Sequence, residues 1–346
     1  MVTIYDIARK LGLSAATVSR VVNGVDHPVS ERTRRRILDT AGEMGYRPNT
    51  IAKSLSRGRT QTIAILLPSI TNDFYTQFVD VVENKISGAG YSTFLCNTHR
   101  DISRETAWIG TLIERRVDGV VFCPTRVKPG DNAQNLNNVR ELSRHGVPVV
   151  AIGSHFGAVS QVYVDTYEGS REAVEYLLTL GHRRIGFIDG LSAGTSRRRF
   201  RGYADALKKH GITPDPLFQV HGDLSFESGR QCALRLLREA SPSAVFAVNN
   251  NMAVGVLEAA REQKIQVPGQ LSVIGFDDSP VSQMVYPRLT VVRQPLEEIG
   301  KAVLGLLSEA IEGKNAPRVI RLKPQLIRRD SCAPEPERRG QARIRF

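Results

Sequence analysis

Residues 3–24 read TIYDIARKLGLSAATVSRVVNG. Ile4, Ile7, Ala8 and Leu11 fall at i, i+3, i+4 and i+7. That single apolar stripe predicts a helix over Ile4 to Leu11. Thr3 stands where an N-cap belongs and Asp6 at the third helical position, a capping box with the shorter acid. Gly12 breaks the helix, and Ser14 caps a second one over Ala15 to Val22. Val18, Val21 and Val22 face inward there, and Asn23-Gly24 ends it. Ser30 caps a third helix, Glu31 to Met44, with Ile37, Leu38, Ala41 and Met44 on its apolar side.

Helix, short glycine-containing turn, capped helix is the helix-turn-helix pattern. In that motif the N-terminal end of the second helix meets base edges in the major groove. Small side chains suit the closest approach. Ala15 and Ala16 can reach thymine methyls, and Arg20 can fork onto guanine O6 and N7. Ser14, Thr17, Ser19 and Asn23 are short donors suited to phosphate oxygens, and Thr3 and Tyr5 at the start of the first helix are further contacts. The plain alternative is a small helical bundle with no ligand.

Charge bears on that choice. The chain holds 47 Lys+Arg against 35 Asp+Glu, a net +12. Residues 1–60 hold eleven basic and five acidic side chains, so half the excess sits in about a sixth of the chain. A basic terminal module points to a polyanion partner. The length, 346 residues, suits two or three domains at roughly 100–200 residues each. A 41% hydrophobic content supports a sizeable core and excludes a disordered chain. Apolar runs such as Ile63–Pro68 fall far short of the ~20 residues of a spanning helix. No secretion leader is read at MVTIYDIARK, and Cys96, Cys123, Cys232 and Cys332 read as free thiols of a cytoplasmic protein. The stretch from Ala333, APEPERRGQARIRF, has no apolar period and reads as a disordered tail without a leucine heptad.

The opening stretch, followed by YRPNTIAKSLSRGRTQTIAILLP at residues 46–68, resembles the start of the LacI/GalR-type family of transcription regulators, and the chain to about Asp330 resembles that family's effector-binding core. The resemblance implies a helix-turn-helix head over residues 1–48 and a hinge helix and linker over 49–60. A two-lobed, periplasmic-binding-protein-like α/β core would follow over 61–330, then the tail 331–346. It also implies that Asn49, Ala52 and Leu55 of the hinge meet DNA, with Leu55 wedged into a minor-groove step. Packing against the core is the alternative for Leu55. A helix this short is marginal in isolation, as a switch segment should be.

From Thr62 the pattern alternates. Strand-like runs are Thr62–Leu67, Tyr91–Cys96, Gly119–Cys123, Val147–Ile152, Arg184–Asp189, Ala244–Val248 and Leu271–Gly275. Helical stretches separate most of them, and the nearly all-apolar strands suit a parallel sheet covered on both faces. Such βα repeats make an open, doubly wound α/β sheet. About 270 residues is long for one sheet, so two lobes are expected. The first ends at Ala151–Gly153, and the second opens around Gln161–Asp165. The resemblance implies a return to the first lobe near Leu289–Gly313 and another crossing near Pro317–Arg328.

No catalytic constellation stands out: no phosphate loop, no zinc-helix motif, no nucleophile elbow. The seven histidines lack ligand spacing, and His182 reads as an imidazolium at a helix end beside Gly181. Asp277-Asp278 lacks a partner acid or a metal-ligand pattern. No metal or cofactor is expected. Polar residues do gather at strand carboxyl ends, where open α/β sheets bind ligands. These are Asn72, Phe74 and Tyr75 after the first strand, Asp165, Arg199, Asn249 and Asp277. Arg199, Asn249 and Asp277 match the resembled family's R-x-x-G-[FWY], M-A-x-G and G-[FY]-D-D motifs, and Phe74 and Tyr75 its aromatic position. Capping or core packing is the alternative for each. The chain departs from that family at Asn250, where Asp is common, and at Leu224, where a large aromatic is common; both fall near the expected pocket, and Leu224 joins the seven as an eighth effector-binding candidate. Of Arg197, Arg198, Arg199 and Arg201, all but Arg199 read as solvated.

The resulting expectation is a cytoplasmic, homodimeric regulator, not an enzyme. It would repress by binding double-stranded operator DNA and respond to a small effector, a sugar or sugar derivative, held between the lobes. The rivals are a solute-binding protein serving a transporter and an enzyme acting on a sugar or nucleotide. The missing export signal and the basic head oppose the first, and the missing nucleophile and base oppose the second.

Overall fold

The structure, a computed structural model, describes residues 2–24, 27–46, 59–128, 130–190, 194–314 and 316–335. Asn49, Ala52 and Leu55 of the expected hinge, and the tail beyond residue 335, lie outside them. The chain divides between Gln61 and Thr62 into two compact units.

Among its described residues the first unit holds three helices, the head: α1 (Ile4–Leu11), α2 (Ala15–Val22) and α3 (Glu31–Glu43). Local chemistry sets each start. Thr3 and Asp6 form the reciprocal capping box, and Gly12 closes α1 in a left-handed conformation at φ +66. Ser14 and Ser30 each accept from the backbone N–H three residues on. Ile7, Ala8, Val18, Val21, Ile37 and Ala41 make the small core. Leu38 is a correction: it is 48% exposed, and Thr40 is buried on α3 instead.

The second unit holds two six-stranded sheets. The first contains β1 (Thr62–Leu67), β2 (Ser92–Asn97), β3 (Gly119–Phe122), β4 (Val149–Ile152), β5 (Ser160–Val164) and β11 (Val319–Leu322), in the order β11-β5-β4-β3-β1-β2, all parallel. Helices α4 (Asp73–Gly88) and α12 (Leu296–Ile311) cover one face, and α5 (Ile102–Glu114) and α6 (Asp131–Arg144) the other. The second sheet contains β6 (Ile185–Asp189), β7 (Gln219–His221), β8 (Ala244–Ala247), β9 (Ser272–Phe276), β10 (Thr290–Arg293) and β12 (Gln325–Ile327), in the order β12-β10-β9-β8-β6-β7. Only β12 runs antiparallel there. Its helices are α7 (Thr166–Thr179), α8 (Gly194–Lys209), α9 (Phe226–Glu239) and α10 (Asn250–Glu262), with the short α11 (Val281–Met284) after β9. Helices α9 and α10 touch backbone to backbone. A Cβ on Gly255 would lie 2.4 Å from the Phe226 carbonyl oxygen, so only glycine fits.

The strand at Gln161–Asp165 corrects the expected lobe boundary. It pairs with β4 and β11 in the first sheet, and the second lobe opens with α7. The chain crosses between lobes three times: at Asp165, at Gln294–Pro295 between β10 and α12, and at Lys323–Pro324 between β11 and β12. The crossings are tight, since a Cβ on Gly169 of α7 would lie 2.6 Å from Pro324.

Two more expectations are corrected at the far edge of the second lobe. The start of the supposed disordered tail is held in place. Ser331 is fully buried, accepts from Thr290 N–H at 2.8 Å and donates to the Val273 carbonyl at 2.6 Å. Glu335 N–H donates to the Leu180 carbonyl at 2.8 Å. Backbone and hydroxyl hydrogen bonds fix this segment, and a search for apolar periodicity does not register them. His182 is no exposed imidazolium. It is 1% exposed, with Nδ1 3.0 Å from Ser243 Oγ and Nε2 within 3.0 Å of both Ser272 Oγ and the Ala333 carbonyl. Burial holds its pKa below the ordinary value, outweighing the Ala333 carbonyl and Glu335. The unfolded chain therefore binds the proton more readily. His182 stability is present above about pH 6.5 and is lost as pH falls through that unfolded value toward the folded one. Urea midpoints for the parent and His182→Gln are expected to converge on acidification from pH 7.5. A constant gap would remove the protonation account.

Candidate DNA-reading helix and effector cleft

On α2 the outward residues are Ser14, Ala16 and Arg20. Ala16 and Arg20 are one turn apart and share a face. Ser14 Oγ accepts from Thr17 N–H at 3.1 Å and lies 2.8 Å from Thr17 Oγ1, so the two hydroxyls hold each other. Arg20 Nη1 stands 3.3 Å from His27 Nδ1, and no other hydrogen bond engages its guanidinium among the described residues. Ala15, Thr17 and Ser19 are half-buried, Ala15 against the head core. Asn23 donates to its own helix at the Ser19 carbonyl, 2.8 Å away. Tyr5 is 71% exposed, whereas Thr3 is engaged by Asp6. Hydrogen bonds from Thr3 hold the Asp6 carboxyl below the usual range.

In the second unit a cavity of about 650 Å³ opens between the two sheets. Asn72, Phe74, Tyr75, Arg199, Leu224 and Asp277 line it, bringing six of the eight expected residues together. Each is placed by a strand-to-helix junction. Asn72 caps α4 by accepting from Phe74 N–H at 3.0 Å. The Phe74 ring meets Tyr75 edge-on with centroids 5.1 Å apart. Leu224 has φ +75 and Asp277 φ +93, backbone a non-glycine residue rarely adopts, and such outliers cluster at ligand sites.

Arg199 and Asp277 are the buried charged pair of the wall. Arg199 Nη1 donates to the Val248 carbonyl at 2.7 Å, and its guanidinium carbon lies 3.8 Å from the centre of the Phe276 ring. Nη2 is 3.5 Å from Asp277 Oδ1, while Nε is buried without a partner. Gln294 donates to the same Asp277 oxygen at 2.6 Å. Burial pushes the Asp277 pKa up and the Arg199 pKa down, each opposed by the other's charge. A donor with an unused N–H beside an acceptor suits hydroxyls of a polar ligand.

Asp165 and Asn249 do not line the cavity. Asp165 caps α7 at the first crossing, 1% exposed, and binds Arg198 at 2.9 Å and Arg321 of β11. Burial alone would raise its pKa, but hydrogen bonds from Arg321 and Arg198 outweigh that and hold it low. It ties the two lobes at their crossing. Asn249 caps α10, accepting from Met252 N–H at 2.9 Å, and donates to the Leu224 carbonyl at 2.8 Å. It shapes the Leu224 loop from behind. Asp278 turns away from Asp277 onto Arg329 at 2.7 Å and Arg293 at 2.6 Å, so the two acids do not face one site.

The wall also holds residues the sequence reading missed or misplaced. Arg197 and Arg198, read as solvated, line the cavity, and so do Arg100, Arg126, Phe156 and Gln294. Arg126 follows β3 at the same strand-end position that exposed the others, a signal that was available. The lobes also touch directly: Arg100 Nη1 donates to the Asp223 carbonyl at 3.0 Å and Ser279 Oγ to Asp73 Oδ2 at 3.0 Å. Among the described residues no three His, Cys, Asp or Glu side chains gather to hold a metal.

A capped reading helix on a basic head, in one chain with a two-lobed cleft, defines a DNA-binding transcription regulator with a ligand-binding core. Comparison with known proteins gives the family. Residues 3–49 match the model for bacterial regulatory proteins of the lacI family, and residues 174–332 that of a periplasmic binding protein-like domain. The HTH-type transcriptional regulator DegA of Bacillus subtilis (strain 168) is 34% identical over 337 residues, 96% of this chain and 98% of DegA. The chain belongs to the LacI family; it is a DNA-binding transcriptional regulator and not an enzyme. Among solved structures, the Lac repressor dimer bound to operator and the anti-inducer ONPF superposes with TM-score 0.87 at 27% identity, covering 96% of this chain and 99% of that one. The transcriptional regulator CelR–cellobiose complex gives TM-score 0.71 at 31% identity, covering 96% and 100%.

Proposed function

We propose that this regulator is a cytoplasmic, homodimeric repressor whose hold on a pseudo-palindromic operator is set by a carbohydrate in the cleft. The carrying observation is that both lobes supply the cavity's polar wall: Asn72 and Tyr75 from the first, Arg199 and Asp277 from the second. A ligand touching both lobes binds one lobe arrangement better than another, and only such a difference shifts a population. Aromatic faces beside a fixed acceptor and an open donor suit a sugar, and the CelR–cellobiose structure supports that class. A dimer is supported by the Lac repressor likeness and by Met284 and Tyr286, 79% and 94% exposed beside α11.

In this reading Ala15, Ala16 and Arg20 read bases, while Ser14, Thr17, Ser19, Asn23, Thr3 and Tyr5 set the register on phosphates. Asn49, Ala52 and Leu55 form the hinge whose order follows lobe closure, with coupling on the order of 1–3 kcal/mol. Selecting a preferred duplex from random sequence, then titrating it by anisotropy with and without sugars, tests the switch. An operator affinity that stays fixed while a bound small molecule saturates the cleft refutes it.

A further inference from the structure

Five arginines line the cleft, and they are not equivalent. Arg199 is matched by Asp277, and Arg198 by Asp165. Arg100, Arg126 and Arg197 have no carboxylate within ion-pair distance among the described residues. Arg197 sits exposed on the first turns of α8, and Arg100 spends one N–H on the Asp223 carbonyl. Arg126 is different because it is both enclosed and held.

The backbone on either side of Arg126 is pinned. Thr125 N–H donates to the buried Glu105 carboxyl at 2.7 Å, and Asn135 Nδ2 donates to the Thr125 carbonyl at 3.1 Å. Val127 and Lys128 N–H both donate to Asp131 Oδ2 at 2.7 Å. The guanidinium carbon lies 4.9 Å from the centre of the Phe156 ring. That ring is fixed in turn, because Phe156 N–H donates to Gln161 Oε1 at 3.1 Å. With five N–H donors to satisfy, the guanidinium makes one long contact among the described residues, Nη2 to the Ser154 carbonyl at 3.4 Å, and its buried Nε has no partner among them. Glu105 does not serve it, since Asn135 and Asn138 donate to Glu105 Oε1 at 2.9 and 2.8 Å while Thr125 takes Oε2. Burial pulls the Arg126 pKa down, opposed only in part by Tyr75 and Glu105. A preorganised, underused fork over an aromatic face is built for a planar or tetrahedral oxyanion.

We propose that the effector carries an oxyanion, a phosphate or carboxylate on a sugar, which Arg126 binds in the first-lobe wall of the cavity that Arg197 lines from the second lobe. This rests on the carbohydrate reading above. Bridging the lobes through an anion strengthens closure beyond what hydroxyls at Arg199 and Asp277 supply. Tyr75 lines the same cavity as Arg126, Arg199 and Asp277.

Calorimetric titration of the full-length protein with a hexose and pentose panel tests this. Each sugar is offered neutral, as its terminal phosphate and as its uronate, with inorganic phosphate alongside. At least one anionic member should bind about tenfold or more tightly than its neutral parent. The phosphate and uronate arms say which oxyanion it is. Arg126→Gln should erase the margin, and Arg126→Lys, which keeps the charge and loses the fork, should retain part of it. Added salt should shrink the parent protein's margin, a readout that needs no variant. Neutral sugars binding as tightly as their anionic derivatives would overturn the oxyanion site and leave the carbohydrate reading standing. Arg126-dependent binding of inorganic phosphate with no carbohydrate binding would do the reverse. No binding by any probe overturns both.

Discussion

Arg199→Ala is expected to abolish small-molecule binding in the cleft and to destabilise the core by about 3–5 kcal/mol near neutral pH, the usual cost of removing one partner of a buried ion pair. The loss comes less from the contact itself than from what is left behind. Asp277 is 7% exposed, and without the guanidinium it keeps, among the described residues, only Gln294 as a close donor. Its carboxyl, already pushed up by burial, rises further. A folded-state pKa above the unfolded value of about 3.9 means that the folded protein holds the extra proton. Stability is then gained as pH falls through the folded pKa. The deficit of the variant should therefore narrow on mild acidification. Urea denaturation of parent and variant at several pH values measures it. An equal deficit at every pH would place the loss in the packing over Phe276 and the Val248 carbonyl instead of in an orphaned carboxylate.

The same pair shows what a sequence can and cannot disclose. Asp277 is legible because it sits one step past an apolar strand, and Arg199 because it lies on the helix that follows another, at the edge where a parallel sheet presents its ligands. The head was legible almost residue by residue, since a cap, a glycine stop and a helical period are local signals. Thr3, Asp6, Gly12 and Ser14 each do within four residues what their types suggest. What failed was non-local. The run Gln161–Val164 looks like any buried strand, and nothing within it says which sheet it joins; that depends on β4 and β11, one of them more than 150 residues away. Asp165 and Asn249 were drawn into the ligand set because a strand-end acid or amide looks alike whether it meets a ligand, caps a helix or ties a crossing. Arg126 also follows a strand end, so its place is legible, but what sets it apart from the other arginines, a buried Nε without a partner, shows only in three dimensions. Leu38, His182 and Ser331 complete the pattern: burial of one residue is decided by elements far away in the chain.

The second large effect falls on the head. Arg20→Ala is expected to cost about 1–3 kcal/mol at the preferred operator, with the loss concentrated at one base pair. Arg20 is exposed on the face that also carries Ala16, and among the described residues its close partner is the His27 ring at 3.3 Å. An arginine that swings from one half-buried imidazole onto guanine O6 and N7 gives up little to do so. The alternative is that Arg20 meets a phosphate, and salt separates the two. Each phosphate contact contributes about 0.9 to the slope of log K against log salt, whatever the sequence. A base-reading Arg20 predicts that the variant keeps the parent's slope and its weak affinity for random duplex while losing discrimination at one position. A phosphate-binding Arg20 predicts a shallower slope and a uniform loss on every duplex. Anisotropy titrations of both proteins on the operator, its single-position variants and a random duplex, each at several salt concentrations, decide between them. A uniform loss would move the reading role to Ala15 and Ala16, whose methyl contacts carry no charge and leave the slope untouched.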